Sequence, residues 1–401
     1  MSMDRFKDEF KHFKQRNHSP NFSDVLDVEN TIGKDKITKL TFDDRPTLKG
    51  LQPVKAWKAY TLDACPGFII IQNPFEEGCQ RYWVDQSIKV YPQSPNVTNI
   101  DSLLSTVPGH DVWEYSKGHH SDDITGKQSL IMKLRWVTLG YHYDWNNKVY
   151  YPDRYSKFPE DLSELCKYIA SVLGYETFSP EAGIVNFYHM DSTLAGHTDH
   201  SELDHDAPLI SISLGQDAIF LIGGLTKETK PTAVMLHSGD VCVMTGQSRL
   251  VYHAVPRIMK SNRINKLFFT EDRSKEMKSC DVTVGINDYP RLVDKNTNDI
   301  STDESTVAKT ADIQNTDSKL CHKCIGGKGN HESCELDTNY DYTGGHLVKL
   351  TEDEKLFREY LNCTRLNLNI RQVLKPNQKF PECESVNSNS DNKKLKLDLT
   401  C

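Results

Sequence analysis

Between Gly183 and Val255 the chain breaks into short apolar runs set apart by turn residues: GIVNFYHM, APLISISLG, DAIFLIGG, TAVMLHSGDVCVMTG and RLVYHAV. No helical period fits them, and Ile210, Ile212 and Leu214 alternate with Ser211 and Ser213 as the two faces of a strand do. Several strands at this spacing restrict the region to a sandwich, a jelly roll or a barrel. With 37% hydrophobic residues in 401, there is enough apolar material for one large domain or two ordinary ones.

What surrounds this region is mixed, so the fold class expected is mainly β with flanking helices (α+β). Residues 1–50 form an extension in which Phe6, Phe10 and Phe13 fall at helical spacing. Such a helix either docks on the main domain or turns its Lys and Arg toward a substrate. Residues 51–182 have globular texture, with a strand in PGFIIIQNPF and a helix in DLSELCKYIASVLGY that Asp161 is placed to cap. The β region then runs over 183–273. Residues 274–344 turn to Ser, Thr, Asn and Asp and read as a disordered insertion. Order returns over 345–380, with a helix in TEDEKLFREYLN and a strand in TRLNLNIRQVL, before a polar tail over 381–401.

Composition excludes some functions. No run approaches the roughly 18 apolar residues of a membrane span, and MSMDRFKDEFKHF has no signal-peptide core. Secretion is not expected. Eleven cysteines, an odd number, with Cys65, Cys166 and Cys242 alone in apolar surroundings, point to a reducing compartment. A net charge of −8 argues against a nucleic-acid partner, but residues 274–345 hold 8 basic and 13 acidic side chains and so carry −5 of it. The rest is only mildly acidic.

The stretch HTDHSELDH, residues 197–205, concentrates histidines and acids. On a strand His197 and Asp199 share one face while His200 points away, so His-x-Asp is a plausible ligand pair. His253, ending a later apolar strand, could supply a third ligand. Two histidines and one carboxylate make a facial triad with open positions on iron(II), whereas a closed zinc site needs a fourth protein ligand. TRLNLNIRQ adds Arg365, Asn367, Asn369 and Arg371 on one strand face. Arginines there are costly to bury unless they meet anions, and a guanidinium fork suits the carboxylates of 2-oxoglutarate.

NFY, HTD, SRLVYH and RLNLNIR, in that order, together resemble the AlkB family of iron(II) and 2-oxoglutarate dioxygenases. LRWVTLGYHYDW, DSTLAGHTDHSELDH, GQDAIFLIGG and LHSGDVCVMTGQSRLVYHAVPR are similar to its AlkB homologue 1 branch. The resemblance covers roughly residues 50–270 and 345–378. It implies a double-stranded β-helix core with His197, Asp199 and His253 on iron(II), and Asn186, Tyr188, Arg365, Asn367 and Arg371 around 2-oxoglutarate. Molecular oxygen is the other cosubstrate it implies, and a methylated nucleobase the substrate. A flipped or unpaired base needs aromatic stacking. Trp113, Tyr141, His142 and Tyr143 are the residues expected there, with Asp144 beside them and Glu202 either touching substrate or orienting the ligand loop.

DNA-repair members carry an acid two residues after the metal Asp, and this chain has Ser201. That departure fits the branch's association with tRNA, through removal of 1-methyladenine and oxidation of 5-methylcytosine. The expected partner is therefore nucleic acid, tRNA ahead of DNA, acted on by a monomer. N6-methyladenine in DNA, protein hydroxylation and non-enzymatic nucleic-acid binding are the alternatives. The resemblance also suggests the nucleus or mitochondrion, with the cytoplasm as a further possibility. Within the insertion, Cys321, Cys324, His331 and Cys334 are spaced C-x2-C-x6-H-x2-C. They read either as reduced thiols or as ligands of a small zinc module.

Overall fold

The computed structural model describes residues 3–269, except 31, 32, 106, 108 and 110, together with 340–343 and 346–381. The Cys321, Cys324, His331 and Cys334 group, most of the 274–344 insertion and nearly all of the tail lie outside the described residues.

Eight strands divide four and four between two sheets. They are β7 (Ala182–His189), β8 (Leu194–His197), β9 (Leu209–Gly215), β10 (Asp217–Ile222), β11 (Thr232–Leu236), β12 (Val241–Met244), β13 (His253–Met259) and β16 (Thr364–Arg371). Ahead of them come β1 (Ile37–Leu40), β2 (Lys58–Leu62), β3 (Cys65–Gln72), β4 (Val97–Thr98), β5 (Trp136–Asp144) and β6 (Val149–Tyr155); a hairpin, β14 (Tyr340–Thr343) and β15 (His346–Lys349), precedes β16. The smaller sheet has the order β11-β10-β13-β8. The larger runs β1-β2-β3-β12-β9-β16-β7-β5-β4, with β6 on β5. Four strands of the larger sheet, β12-β9-β16-β7, thus face the four of the smaller one, which is the jelly-roll or double-stranded β-helix arrangement. The N-terminal strands widen the larger sheet on both sides.

Alternation in β9 and β16 decides which side chains reach the space between the sheets. Ile210, Ile212, Leu214, Leu366, Leu368 and Ile370 all point to the outer side of the larger sheet, into a core shared with helices. Two of these helices are α5 (Glu160–Val172) and α7 (Glu352–Leu361). The opposite residues, Ser211, Ser213, Arg365 and Asn367, therefore project inward, where they bond to one another. Thr351 and Glu354 close a capping box that fixes where α7 begins. The expected cap of α5 is not made: Pro159 precedes the helix, and the Asp161 carboxylate accepts a hydrogen bond from Tyr82 instead.

The N-terminal helix α1 (Arg5–Lys14) covers the outer face of the smaller sheet, as its docked alternative required. Phe6 and Phe13 bury against Ile219, Leu221 and Ala254. Phe6 fits because Gly196 and Gly223 have no side chain; a Cβ on Gly196 would lie 2.6 Å from its ring. Phe6 therefore packs directly behind the residue that precedes His197.

A buried ionic cluster ties the extension to the sheets. His237, in the β11–β12 connection, has Nε2 3.2 Å from Asp27 and Nδ1 3.1 Å from Asp217. Arg263 pairs with Glu29 and Asp217 nearby. Burial alone would lower the His237 pKa, but bonds to Asp217 and Asp27 outweigh it and push the imidazolium up to about 10. Burial likewise opposes ionisation of Asp27, yet His237 and Asn30 hold it down at about 2. A raised histidine pKa supplies stability that is full below its unfolded value near 6.5 and is lost as pH rises to about 10. The Asp27 share is present above about 4 and is lost as pH falls through about 2. His237→Asn should accordingly cost about 3 kcal/mol at pH 6 and little at pH 10. Urea unfolding of both chains at the two pH values measures this, and a difference that persists at pH 10 would contradict it.

Candidate metal centre

β8 ends at His197 and β13 begins at His253, and these two residues are opposite partners in the antiparallel register. His253 thus opens its strand, where the sequence had suggested it would close one. Asp199 follows β8 outside regular structure. The three residues nonetheless converge, with one ligand atom from each within 4.8 Å of the others. His197 Nε2 is 4.0 Å from Asp199 Oδ1, and His253 Nε2 is 3.7 Å from Oδ2. Each histidine turns Nδ1 to a backbone carbonyl, Ala195 for His197 and Val251 for His253. That contact leaves Nε2 of both rings for a metal. Burial and the neighbouring His197 lower the His253 pKa to about 4, so its ring is neutral at physiological pH, as a ligand must be.

Asp199 is held ionised. Burial would raise its pKa, but Arg371, His253 and His197 together bring it well below the usual carboxylate range. Arg371 Nη2 lies 2.9 Å from Asp199 Oδ2, and its Nε 3.3 Å from Glu202 Oε1. Arg371 therefore engages the candidate metal ligand directly.

Arg365 is different. It is 1% exposed, yet among the described residues only Nη2 has a partner, Ser213 Oγ at 2.8 Å. Its Nε and Nη1 are buried with none, as is Arg371 Nη1. The Tyr188 ring lies 5.5 Å from the Arg365 guanidinium carbon, and Asn367 bonds to Ser211 Oγ and the Ile212 carbonyl. Asn186 stands opposite Asn367 on β7. Unpaired buried guanidinium donors beside a His2Asp cluster fit an anionic, carboxylate-bearing cosubstrate.

The expected substrate rim is partly corrected. Trp113 is no rim residue: it is 1% exposed in helix α4 (Val112–His120), packs edge-on to Phe357 and donates Nε1 to Asp353. Glu202 is equally out of a substrate's reach, at 4% exposure with Arg249, Arg371 and Tyr150 on its carboxylate. The Asp144 carboxylate closes the β5–β6 turn through Asn146 and Asn147 and pairs with Arg154. His142 bonds to Thr138, and Tyr141 packs at a tilt against Tyr155 and edge-on to Phe380. Tyr143 does reach the metal loop, its hydroxyl 3.0 Å from that of Ser201. Beside it, Trp145 is 44% exposed, with its ring 4.9 Å from Tyr143 and 5.4 Å from Trp136. Trp136 and Trp145 were missed in the sequence, although both lie in the LRWVTLGYHYDW stretch that resembles the branch.

Comparison with known proteins agrees with this geometry. Residues 69–371 match the 2OG-Fe(II) oxygenase superfamily. Over 213 residues the chain is 52% identical to nucleic acid dioxygenase ALKBH1 of Mus musculus, an alignment that covers 52% of this chain and 55% of that one. It is 37% identical to tRNA demethylase abh1 of Schizosaccharomyces pombe, over 52% of this chain and 74% of the relative. With DNA N(6)-methyladenine demethylase ALKBH1A of Arabidopsis thaliana the identity is 33%, over 50% and 66%. The chain spans about half the length of the mouse relative it matches. It belongs to the 2OG-Fe(II) oxygenase superfamily and, within it, to the AlkB family on the ALKBH1 branch.

Proposed function

We propose that this chain is an iron(II)- and 2-oxoglutarate-dependent dioxygenase that oxidatively demethylates nucleobases, with tRNA as its principal substrate. The observation that carries the reading is Arg365, a buried cation with two unpaired donors, on the strand that also places Arg371 against Asp199. His197, Asp199 and His253 would hold iron(II), and Arg365 would bind the distal carboxylate of 2-oxoglutarate. Bound together with oxygen, iron(II) and 2-oxoglutarate supply an oxidant for a methyl C–H bond, and an N-hydroxymethyl product then releases formaldehyde.

The chain's own residues prepare the site. Arg371 neutralises Asp199 and fixes the orientation of its carboxylate. Tyr188, Phe220 and Val255 line the space between the sheets with apolar surface that excludes water. Tyr143 and the exposed Trp145 offer ring faces near Ser201, a surface suited to an unpaired base more than to a peptide. The relatives named for tRNA and for DNA N6-methyladenine favour nucleic acid, and Ser201 in place of an acid favours tRNA over alkylated DNA.

The test is iron-loaded protein with 2-oxoglutarate, oxygen and total tRNA, followed by nucleoside mass spectrometry and a succinate assay. Loss of 1-methyladenosine or gain of 5-formylcytidine is expected. Succinate without any change in tRNA would refute the substrate while keeping the iron chemistry; methylated DNA run in parallel gives the second reading its chance.

A further inference from the structure

The loop from Asp199 to Ala207 carries a metal ligand but has no regular backbone pairing of its own. The Val373 carbonyl accepts from the Leu203 and Asp204 amides in the middle of the loop, and one buried side chain ties both of the loop's ends. Arg249 is 1% exposed and directs all three of its nitrogens at this loop. Nη1 donates to the Asp199 carbonyl at 2.7 Å, Nε to the Ala207 carbonyl at 3.2 Å, and Nη2 to Glu202 Oε2 at 3.0 Å. Arg249 follows the tight turn Gly246–Ser248 and stands four residues before His253. A rigid fork therefore links the segment bearing one candidate ligand to the backbone of another.

Glu202 completes the device. It balances the buried Arg249 charge, accepts from Tyr150 at 3.0 Å, and lies 3.3 Å from Arg371, which itself holds Asp199. Asp199 is gripped twice, at its carboxylate by Arg371 and at its carbonyl by Arg249. Tyr150 belongs to β6, so the same chain of contacts reaches the hairpin that carries Tyr143 and Trp145.

We propose that Arg249 is a positioning residue for the iron site: by clamping the 199–207 loop it presents the Asp199 carboxylate to the point where His197 and His253 converge. This rests on the iron-site reading given above. Groups that orient metal ligands typically change metal affinity by about 10- to 100-fold when removed, without touching the metal.

The test compares the full chain with Arg249→Lys and with the double variant Glu202→Gln/Arg249→Met. The first keeps the charge but cannot span three acceptors; the second removes both buried charges, so no unpaired ion is left inside. Manganese(II) dissociation constants are read by calorimetry, Co(II) ligand-field spectra report the geometry, and melting in EDTA reports metal-free stability. Metal binding is expected to weaken about 10- to 100-fold in both variants with an altered Co(II) spectrum. Melting should stay near that of the wild type in at least one of them. Wild-type metal affinity in either folded variant would overturn the proposal, as would failure of both to fold in EDTA, which would make Arg249 a stability residue only. Failure of the wild type to bind manganese(II), or binding unaffected by His197→Ala, would instead refute the iron site itself.

Discussion

Arg365→Met is expected to make the cosubstrate-free protein more stable and to weaken its use of 2-oxoglutarate severely. In the free chain the guanidinium is fully buried with one hydrogen bond to Ser213 and two nitrogens unpaired. Burial disfavours its charged form, and the Tyr188 ring is its near neighbour. Each buried unsatisfied donor costs about 1–3 kcal/mol, and an unpaired buried charge more. Methionine fills similar space without that cost, so the metal-free melting temperature should rise. With 2-oxoglutarate present the sign reverses, because loss of one partner of a buried charged pair costs about 2–5 kcal/mol. The Michaelis constant for 2-oxoglutarate should increase at least about 30-fold, given 1.36 kcal/mol per tenfold change. Melting with and without the cosubstrate, together with succinate kinetics, measures both arms. A variant less stable than wild type without cosubstrate, yet as responsive to 2-oxoglutarate, would show that Arg365 is a packing residue.

How much of this was legible beforehand depends on how local each determinant is. Strand alternation is set by neighbours in sequence, so the inward face of Arg365, Asn367 and Arg371 and the outward face of Leu366, Leu368 and Ile370 could be read directly. The convergence of His197, Asp199 and His253 rested on spacing plus resemblance, and the register of β8 on β13 supplies the physical reason for it. What could not be read depended on contacts distant in sequence. Trp113 carries a polar tip that would suit a rim, but its partner Asp353 lies on α7, beyond the long insertion, and makes it a core residue. For Glu202 the choice between touching substrate and orienting the ligand loop stayed open in the sequence, because Arg249 and Arg371 are far along the chain. Arg249 gave one signal only, its place in SRLVYH four residues before His253, and an arginine beside a strand is usually solvated.

Asp199→Ala tests the other half of the site and should act on stability in the direction opposite to Arg365→Met. Here the buried cation already has its anion: Arg371 Nη2 is 2.9 Å from Asp199 Oδ2. Asp199 stays ionised because Arg371 and both histidines outweigh the effect of burial. Removing it leaves Arg371 with Glu202 alone, which Arg249 and Tyr150 already engage. Breaking such a buried pair costs about 3 kcal/mol, so the metal-free variant should melt lower. It also loses the one anionic ligand of the candidate triad. A charged ligand contributes several kcal/mol to binding and charge stabilisation at a metal, so manganese(II) affinity and succinate formation should both fall about a thousandfold or more. Asp199→Asn refines the point, since it preserves shape and removes charge. It should fold better than the alanine variant and still fail to turn over. Should Asp199→Ala bind manganese(II) as the wild type does, the metal would lie elsewhere and the unpaired donors of Arg365 would need another anion.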